Sequence, residues 1–346
     1  MIKVGIVSPS EIALRRFLPA INKADGFEFV GVAIANEEEW LGNDRNKTVN
    51  LLKSEYDKAK TFVEAHGGKI YNGYKNLIKS KDIDAVYLPL PPELHYKWAK
   101  IALENGKHLL VEKPATTNLS QTEELIQLAE KNKLAVHENY MFTFHKQLEV
   151  IEKFIKSGEI GDVRLYRIAF GFPRRSILDF RYNKELGGGA LLDCGGYTIK
   201  YASMLLGDTC KFLYAYLNYT DDCMVDMFGS AAMVNDLGTT AQISFGMDNN
   251  YKCELEVWGS KGYLRADRVL TAPVGFNPSM TIKIGNEESR VLELPEDDSF
   301  NKSILRFESC IINEETRKEN YKVILKQAKL IDEYMNSYNI SKPAKK

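Results

Sequence analysis

The chain has 346 residues, which at ~150 residues per domain predicts about two domains. Hydrophobic residues make up 44% and charged residues 27%, so intrinsic disorder is excluded as the main state. Forty-six Lys and Arg against 47 Asp and Glu leave a net charge of -1, without the global field of a nucleic-acid binder. No apolar run approaches the ~20 residues of a membrane helix, and the opening MIKVGIV reads as a strand rather than a signal peptide.

Residues 2–7 form a short apolar run of strand length, and 12–22 then space Ile12, Leu14, Phe17, Leu18 and Ile21 as a helix. A second strand is predicted over 27–35, an amphipathic helix over 51–65, a strand over 85–90 and a helix over 95–105. Strand 109–112, helix 120–131 and strand 135–138 complete the series. Such alternation predicts a doubly wound parallel sheet with helices on both faces. The polar stretch 37–53 interrupts it and reads as an insertion after the second strand.

Beyond about residue 160 the pattern changes. A strand at 163–170 and a helix candidate at 187–206 precede short alternating segments at 212–219, 226–234, 239–245, 253–258 and 263–266. Helical patterns return at 303–315 and 321–337. These describe a nucleotide-binding half over 1–140, with the 37–53 insertion, followed by an α+β half over 141–346 on a mostly antiparallel sheet. One uncovered face of that sheet would be a large apolar surface, which predicts a homodimer or homotetramer.

The cysteines, at 194, 210, 223, 253 and 310, are odd in number and lack C-x-x-C spacing, so reduced thiols in a cytoplasm are expected. His137 and His145 have no third ligand at matching spacing, and no metal is expected. Trp98 reads as core.

The first strand–turn–helix unit is where a dinucleotide pyrophosphate would sit. Its fingerprint is Ser8-Pro9-Ser10-Glu11-Ile12-Ala13, with serines where glycines are usual. Strand two ends at Asn36-Glu37-Glu38, whose carboxylates lean toward the ribose hydroxyls of NAD. Arg45 and Lys47 in the insertion could instead meet the 2′-phosphate of NADP, so the cofactor is left as NADP or NAD. Lys113 of Glu112-Lys113-Pro114 follows a buried-looking strand and so lies at the ligand edge of the sheet. In the run from Glu185 to Tyr197, Gly187-Gly188-Gly189 reads as a loop that opens a helix. On that helix Asp193, Tyr197 and Lys200 fall on one face. An ammonium such as Lys113 would lower the pKa of a phenol and let it deliver a proton to a carbonyl oxygen. A Tyr197 buried against the sheet, its hydroxyl satisfied by Asp193, is the other reading. Arg174, Arg175 and Arg181 could bind a diphosphate or form a solvated loop.

Glu112-Lys113-Pro114, the glycine-rich segment with Asp193, and Ile12-Ala13 together resemble the Gfo/Idh/MocA family of NAD(P)-dependent oxidoreductases, over residues 1 to about 337. The family commonly has His where this chain has Tyr197. Tyr there, the 10–20 segment, Leu90-Pro91 with His95, the Asp179–Tyr182 stretch and the 138–142 stretch look most like the branch of nucleotide-sugar 3-ketoreductases. The resemblance implies a Rossmann domain followed by an α+β domain on a large open, mostly antiparallel sheet, and an enzyme that reduces the C3 keto group of a nucleotide-linked deoxysugar with NAD(P)H. It makes Lys113 and Tyr197 the catalytic pair, with Asp193 orienting the substrate or nicotinamide. Ser8, Ser10, Glu11, Ile12, Asn36, Glu37, Leu90, Pro91, His95, Glu112 and Lys113 are then the expected cofactor contacts. Tyr140, Arg181, Asp193 and Tyr197 are the expected substrate contacts. A dihydrodiol or free-sugar dehydrogenase, and a non-catalytic dinucleotide sensor or scaffold, are the alternatives.

Overall fold

The computed structural model describes residues 1–40 and 45–340, with the backbone alone for 45–47 and 338–340. The chain divides into two compact units, Met1–Asn139 with Phe300–Leu325, and Tyr140–Ser299 with the chain from Lys326 onward. No helix among the described residues is long and apolar enough to cross a membrane.

The first unit is built on a six-stranded parallel sheet. Its strands are β1 (Ile2–Val7), β2 (Phe27–Ile34), β3 (Lys69–Asn72), β4 (Ala85–Leu88), β5 (His108–Val111) and β6 (Val136–Glu138), in the order β3-β2-β1-β4-β5-β6. β4 and the last four residues of β1 are buried, because helices cover both faces of the sheet. The order reverses between β1 and β4, which opens the crevice where this topology takes a ligand. β3 has no apolar run for a sequence pattern to catch: it is four residues of an edge strand, none of them buried. A π-turn (Ala13–Phe17) leads into α1 (Leu18–Ile21), and Phe17 stacks on Tyr87 of β4 at 4.1 Å.

α2 spans Arg45–His66, so much of the expected 37–53 insertion is helix. Thr48, Ala59 and Phe62 are buried along it while most other positions face water, so apolar periodicity is weak over its first turns. Residues 41–44 and the side chains of Arg45 and Lys47 lie outside the described residues. α3 (Tyr74–Ile78), α4 (Pro92–Glu104) and α5 (Leu119–Asn132) complete the covering layers. The segment 300–325 returns to this unit, whereas a single break near residue 140 was expected. There Phe307 stacks on Phe27 at 6.1 Å, a pairing across 280 positions that no local pattern announces.

The second unit carries a nine-stranded sheet. In chain order its elements are α6 (Lys146–Lys156), β7 (Val163–Gly171), α7 (Gly196–Leu206), β8 (Lys211–Asn218), β9 (Phe228–Val234) and β10 (Thr240–Gly246). β11 (Lys252–Gly259), β12 (Gly262–Asp267), β13 (Ser279–Ile284), β14 (Arg290–Glu293) and β15 (Tyr338–Ile340) follow; of the two helices between β14 and β15, α8 (Ser299–Ile312) from Phe300 and α9 (Glu314–Ser337) as far as Leu325 belong to the first unit, and the rest of α9 to the second. The sheet order is β14-β13-β12-β11-β7-β10-β9-β8-β15, with β7–β10 and β8–β15 parallel and the other pairs antiparallel. One helix was expected to run through 303–315; instead Asn313 accepts the Thr316 N–H at 2.9 Å, ending α8 and capping α9.

Alternation sends Tyr166, Ile168, Phe170, Ile243, Phe245, Leu255 and Val257 into the core beneath α7. The opposite face is mixed rather than purely apolar, contrary to expectation. It sets Arg167 against Glu256 (2.7 Å) and Arg265 against Glu254 (3.0 Å), among exposed Tyr214, Tyr216, Trp258 and Tyr263.

Candidate active site

In the first unit the turn after β1 is tight. Ser8 holds φ at +83°, the left-handed conformation that glycine usually supplies. Its N–H donates to Ala33 O at 3.0 Å. Ser10 Oγ accepts the Ala13 N–H at 3.2 Å and caps the helix. The first-turn amides of Glu11 and Ile12 have no intrahelical partner. A left-handed turn, small side chains and a helix N-terminus at the crevice fit a dinucleotide pyrophosphate, so the serines preserve the shape of the fingerprint.

The loop after β2 corrects one expectation. Asn36 Oδ1 accepts the Glu39 N–H (3.0 Å) while Glu39 Oε2 accepts the Asn36 N–H (3.2 Å), a reciprocal capping box. The Glu39 carboxylate also takes the N–H groups of Tyr74 (2.7 Å) and Lys75 (3.0 Å), capping α3. Asn36 therefore braces its own loop through Oδ1, and Glu37 is left exposed. The N-x-x-E spacing was the signal for Glu39.

Two more expected cofactor contacts stand behind the crevice. His95 is fully buried, with Nδ1 2.8 Å from Pro114 O and Nε2 2.7 Å from Leu90 O. It joins the turn after β4 to the turn after β5. Burial, with the Lys113 charge adding to it, pulls its pKa down to about 4, against the pull of both carbonyls. Glu112 is buried too, its Oε1 accepting from Tyr87 Oη (2.6 Å) and Asn139 Nδ2 (2.7 Å). Asn139 Oδ1 in turn accepts from Ser303, which also meets His137 Nε2, each at 2.8 Å. Glu138 accepts the Ala115 N–H at 2.8 Å. These groups hold the strand end and the cis Lys113–Pro114 peptide, on which Lys113 is half-buried. Tyr87, Asn139, Glu138 and Ser303 were not anticipated, because they come together only through tertiary pairing.

In the second unit the three glycines form the expected loop, and the helix begins at Ala190. Its first turn is a π-turn (Leu191–Gly195), so Asp193 and Tyr197 are not related by the regular α-helical four-residue step that was expected. Asp193 binds Arg181 Nε at 2.7 Å, and Arg181 Nη1 also binds Asp179 at 3.1 Å. Burial works against the guanidinium charge, but the two carboxylates hold it on. Tyr197 is 7% exposed, its ring 5.2 Å from Tyr140, 5.6 Å from Phe142 and 5.4 Å from Phe170. Tyr140, expected to touch substrate, instead lies buried behind Tyr197. Gln327 Nε2 contacts its hydroxyl (3.3 Å) and the Gly196 carbonyl (2.9 Å). A Cβ at Gly196 would come within 2.2 Å of that hydroxyl. Lys200 sits over the Tyr140 ring at 5.6 Å.

Asp226 is a further residue the sequence did not single out. Its buried carboxylate accepts the Leu191 N–H at 2.7 Å, and its carbonyl accepts the Ala190 N–H at 2.8 Å. Gly189, at φ +127°, is required beside it: a Cβ there would fall 2.3 Å from Asp226 Oδ1. Burial pushes the Asp226 pKa up to about 6, above its unfolded value. The stability this contributes is full at acid pH and is lost as pH rises through about 6. We expect wild type to lose about 1 kcal/mol more than Asp226→Asn between pH 5 and 7 in urea unfolding. Parallel pH curves would contradict the assignment.

Among the described residues no three His, Cys, Asp or Glu side chains gather as a metal site. All five cysteines are thiols.

Residues 3–140 match the model of the oxidoreductase family with an NAD-binding Rossmann fold, and residues 149–265 that of the GFO/IDH/MocA C-terminal domain. The chain is 36% identical to a dTDP-3,4-didehydro-2,6-dideoxy-α-D-glucose 3-reductase of Actinomadura kijaniata, covering 96% of this chain and 94% of that one. A reductase of the same name from Streptomyces violaceoruber is 35% identical, covering 90% and 85%. The crystal structure of KijD10, a 3-ketoreductase from A. kijaniata in complex with NADP and TDP-benzene, superposes with a TM-score of 0.89 at 35% identity, covering 98% of each chain. The fold and these matches define an NAD(P)-dependent oxidoreductase. The chain belongs to the Gfo/Idh/MocA family.

Proposed function

We propose that this protein reduces the C3 ketone of a nucleotide-linked deoxysugar, with NADPH or NADH as reductant. The observation that carries this reading is the full-length likeness to reductases of that specificity, together with a tyrosine caged by aromatic rings beside an Asp–Arg pair. The alternatives, a dihydrodiol or free-sugar dehydrogenase and a non-catalytic sensor, have no comparable support.

A bound nicotinamide dinucleotide supplies the hydride. Tyr197 is assigned the proton for the ketone oxygen. Its ring is immobilised on three sides, so the hydroxyl is held in one place without entropic cost at the moment of reaction. Lys113 is assigned the ammonium that makes a phenol acidic enough at neutral pH. Asp193, oriented by Arg181, is assigned to a sugar hydroxyl. Ser8, Ser10, Glu11 and Ile12 are assigned to the pyrophosphate and Glu37 to the adenosine ribose. Leu90 and Pro91 are assigned to the dinucleotide, and His95 and Glu112 brace the turns of the crevice from behind.

The test is oxidation of NADPH and NADH by purified protein supplied with dTDP-3,4-didehydro-2,6-dideoxy-D-glucose. Turnover with either dinucleotide, absent with free ketohexoses, is expected. Turnover of free sugars alone would overturn the nucleotide-sugar reading.

We also propose that the mixed outer face of the nine-stranded sheet joins copies of the chain, because its exposed aromatics and paired charges suit a self-complementary contact. Equilibrium sedimentation should give two or four chain masses; one chain mass would refute this. The reduced thiols fit a cytoplasmic setting.

A further inference from the structure

Three arginines follow or flank the end of β7, and the structure separates them. Arg174 is spent on two carboxylates, Asp222 and, at 3.0 Å, Asp248. Arg181 is spent on Asp193 and Asp179. Among the described residues no carboxylate pairs with Arg175. Its guanidinium carbon lies 5.1 Å from the ring centroid of Phe172, and its backbone N–H donates to the Tyr182 hydroxyl at 2.8 Å.

Both anchors lead back to the reacting end of this unit. Phe172 meets Phe170 at 6.0 Å, and Phe170 meets Tyr197 at 5.4 Å. Tyr182 directly follows Arg181, the partner of Asp193. β7 sends Tyr166, Ile168 and Phe170 to the α7 side of the sheet, and Phe172 continues that alternation. The Arg175 guanidinium is therefore on the same side as Tyr197, a few side chains away. A sugar ring joined to a diphosphate spans a gap of that order.

We propose that Arg175 is the residue that binds the diphosphate of the substrate, and so selects nucleotide-linked sugars over free ones. This rests on the nucleotide-sugar reading above. A guanidinium resting on a ring keeps its N–H groups available to oxygen acceptors and is ordered before the ligand arrives. Its planar fork matches two phosphate oxygens. The neighbouring arginines each carry two carboxylates, so those clusters are net negative and repel a diphosphate. Arg175 is the group that offsets them, which makes binding depend steeply on it.

The experiment compares thymidine 5′-diphosphate with thymidine, by calorimetry, on the full-length wild type, Arg175→Ala and Arg175→Lys. Wild type should bind the diphosphate more tightly than the nucleoside. Arg175→Ala should weaken the diphosphate about 10- to 100-fold and leave thymidine within twofold. Arg175→Lys should fall between, keeping the charge and losing the fork. Equal diphosphate affinity in wild type and Arg175→Ala overturns the proposal, as does an equal loss for both ligands. Wild type that binds neither ligand overturns the nucleotide-sugar reading itself, a failure distinct from the first. The Arg175 side chain is exposed, and unchanged NADPH affinity and melting temperature will show that the variants are folded.

Discussion

Tyr197→Phe should lower kcat at least about 100-fold while leaving the Kd for NADPH within about twofold. The substitution removes one oxygen and nothing else from the cage. The contacts of Tyr140, Phe142 and Phe170 are to the ring, and a phenylalanine ring satisfies them equally. The ring packing is therefore retained, and a loss of turnover at unchanged melting temperature would report chemistry. A ketone that gains hydride without a proton donor is left as an unprotonated alkoxide in the site, and water is a poorly placed substitute donor. The expected signature is a fall in kcat larger than any change in KM. Steady-state kinetics with cofactor titration decides it: turnover within tenfold of wild type would take Tyr197 out of the proton-transfer step. A matched fall in melting temperature would point to packing instead.

Much of this site is legible in the sequence because its parts are local. Lys113 follows a buried strand, and three consecutive glycines mark the loop before Asp193 and Tyr197. What was misread is mostly what tertiary pairing decides. His95 has a motif position beside Leu90-Pro91 that suggests a ligand contact, yet its two nitrogens are turned to carbonyls from different turns of the same unit. Tyr140 was similarly placed one layer too far forward, whereas Glu112, read both as a cofactor contact and as the group that places Lys113, has the second role. Each carries a polar atom, and only the fold shows that Asn139, Tyr87 and Gln327 supply its partners. The Asp193 to Tyr197 relation failed for a local reason: glycines at 195 and 196 permit a π-turn, which a four-residue spacing rule does not foresee. Elements without hydrophobic contrast escaped as well, namely the edge strands β3 and β14. The opening turns of α2 escaped because their polarity looks like that of a loop.

The largest stability effect is expected at His95. Replacing it with Ala empties a fully buried volume and leaves the Leu90 and Pro114 carbonyls without the imidazole. A large-to-small change in a packed interior together with an unsatisfied buried acceptor costs about 3–5 kcal/mol. That predicts a melting temperature lower by roughly 10 °C. The imidazole also makes stability depend on pH, with a sign opposite to that of Asp226. Its pKa is held at about 4 in the fold, below the unfolded value of 6.5, so its contribution is full above pH 6.5 and is lost as pH falls toward 4. His108, also pulled down to about 4 by burial, adds to the same trend. Wild type should therefore lose stability between pH 6.5 and 5, and His95→Ala should lose less over that interval because one of the two titrations is gone. Because the two turns carry Lys113 and Leu90, the variant should also bind NADPH more weakly, even where it is still folded. Urea unfolding at pH 5 and 7, with cofactor titration at pH 7, reads all three effects. A variant within 1 kcal/mol of wild type, with equal NADPH affinity, would show that the two turns hold their places without the imidazole between them.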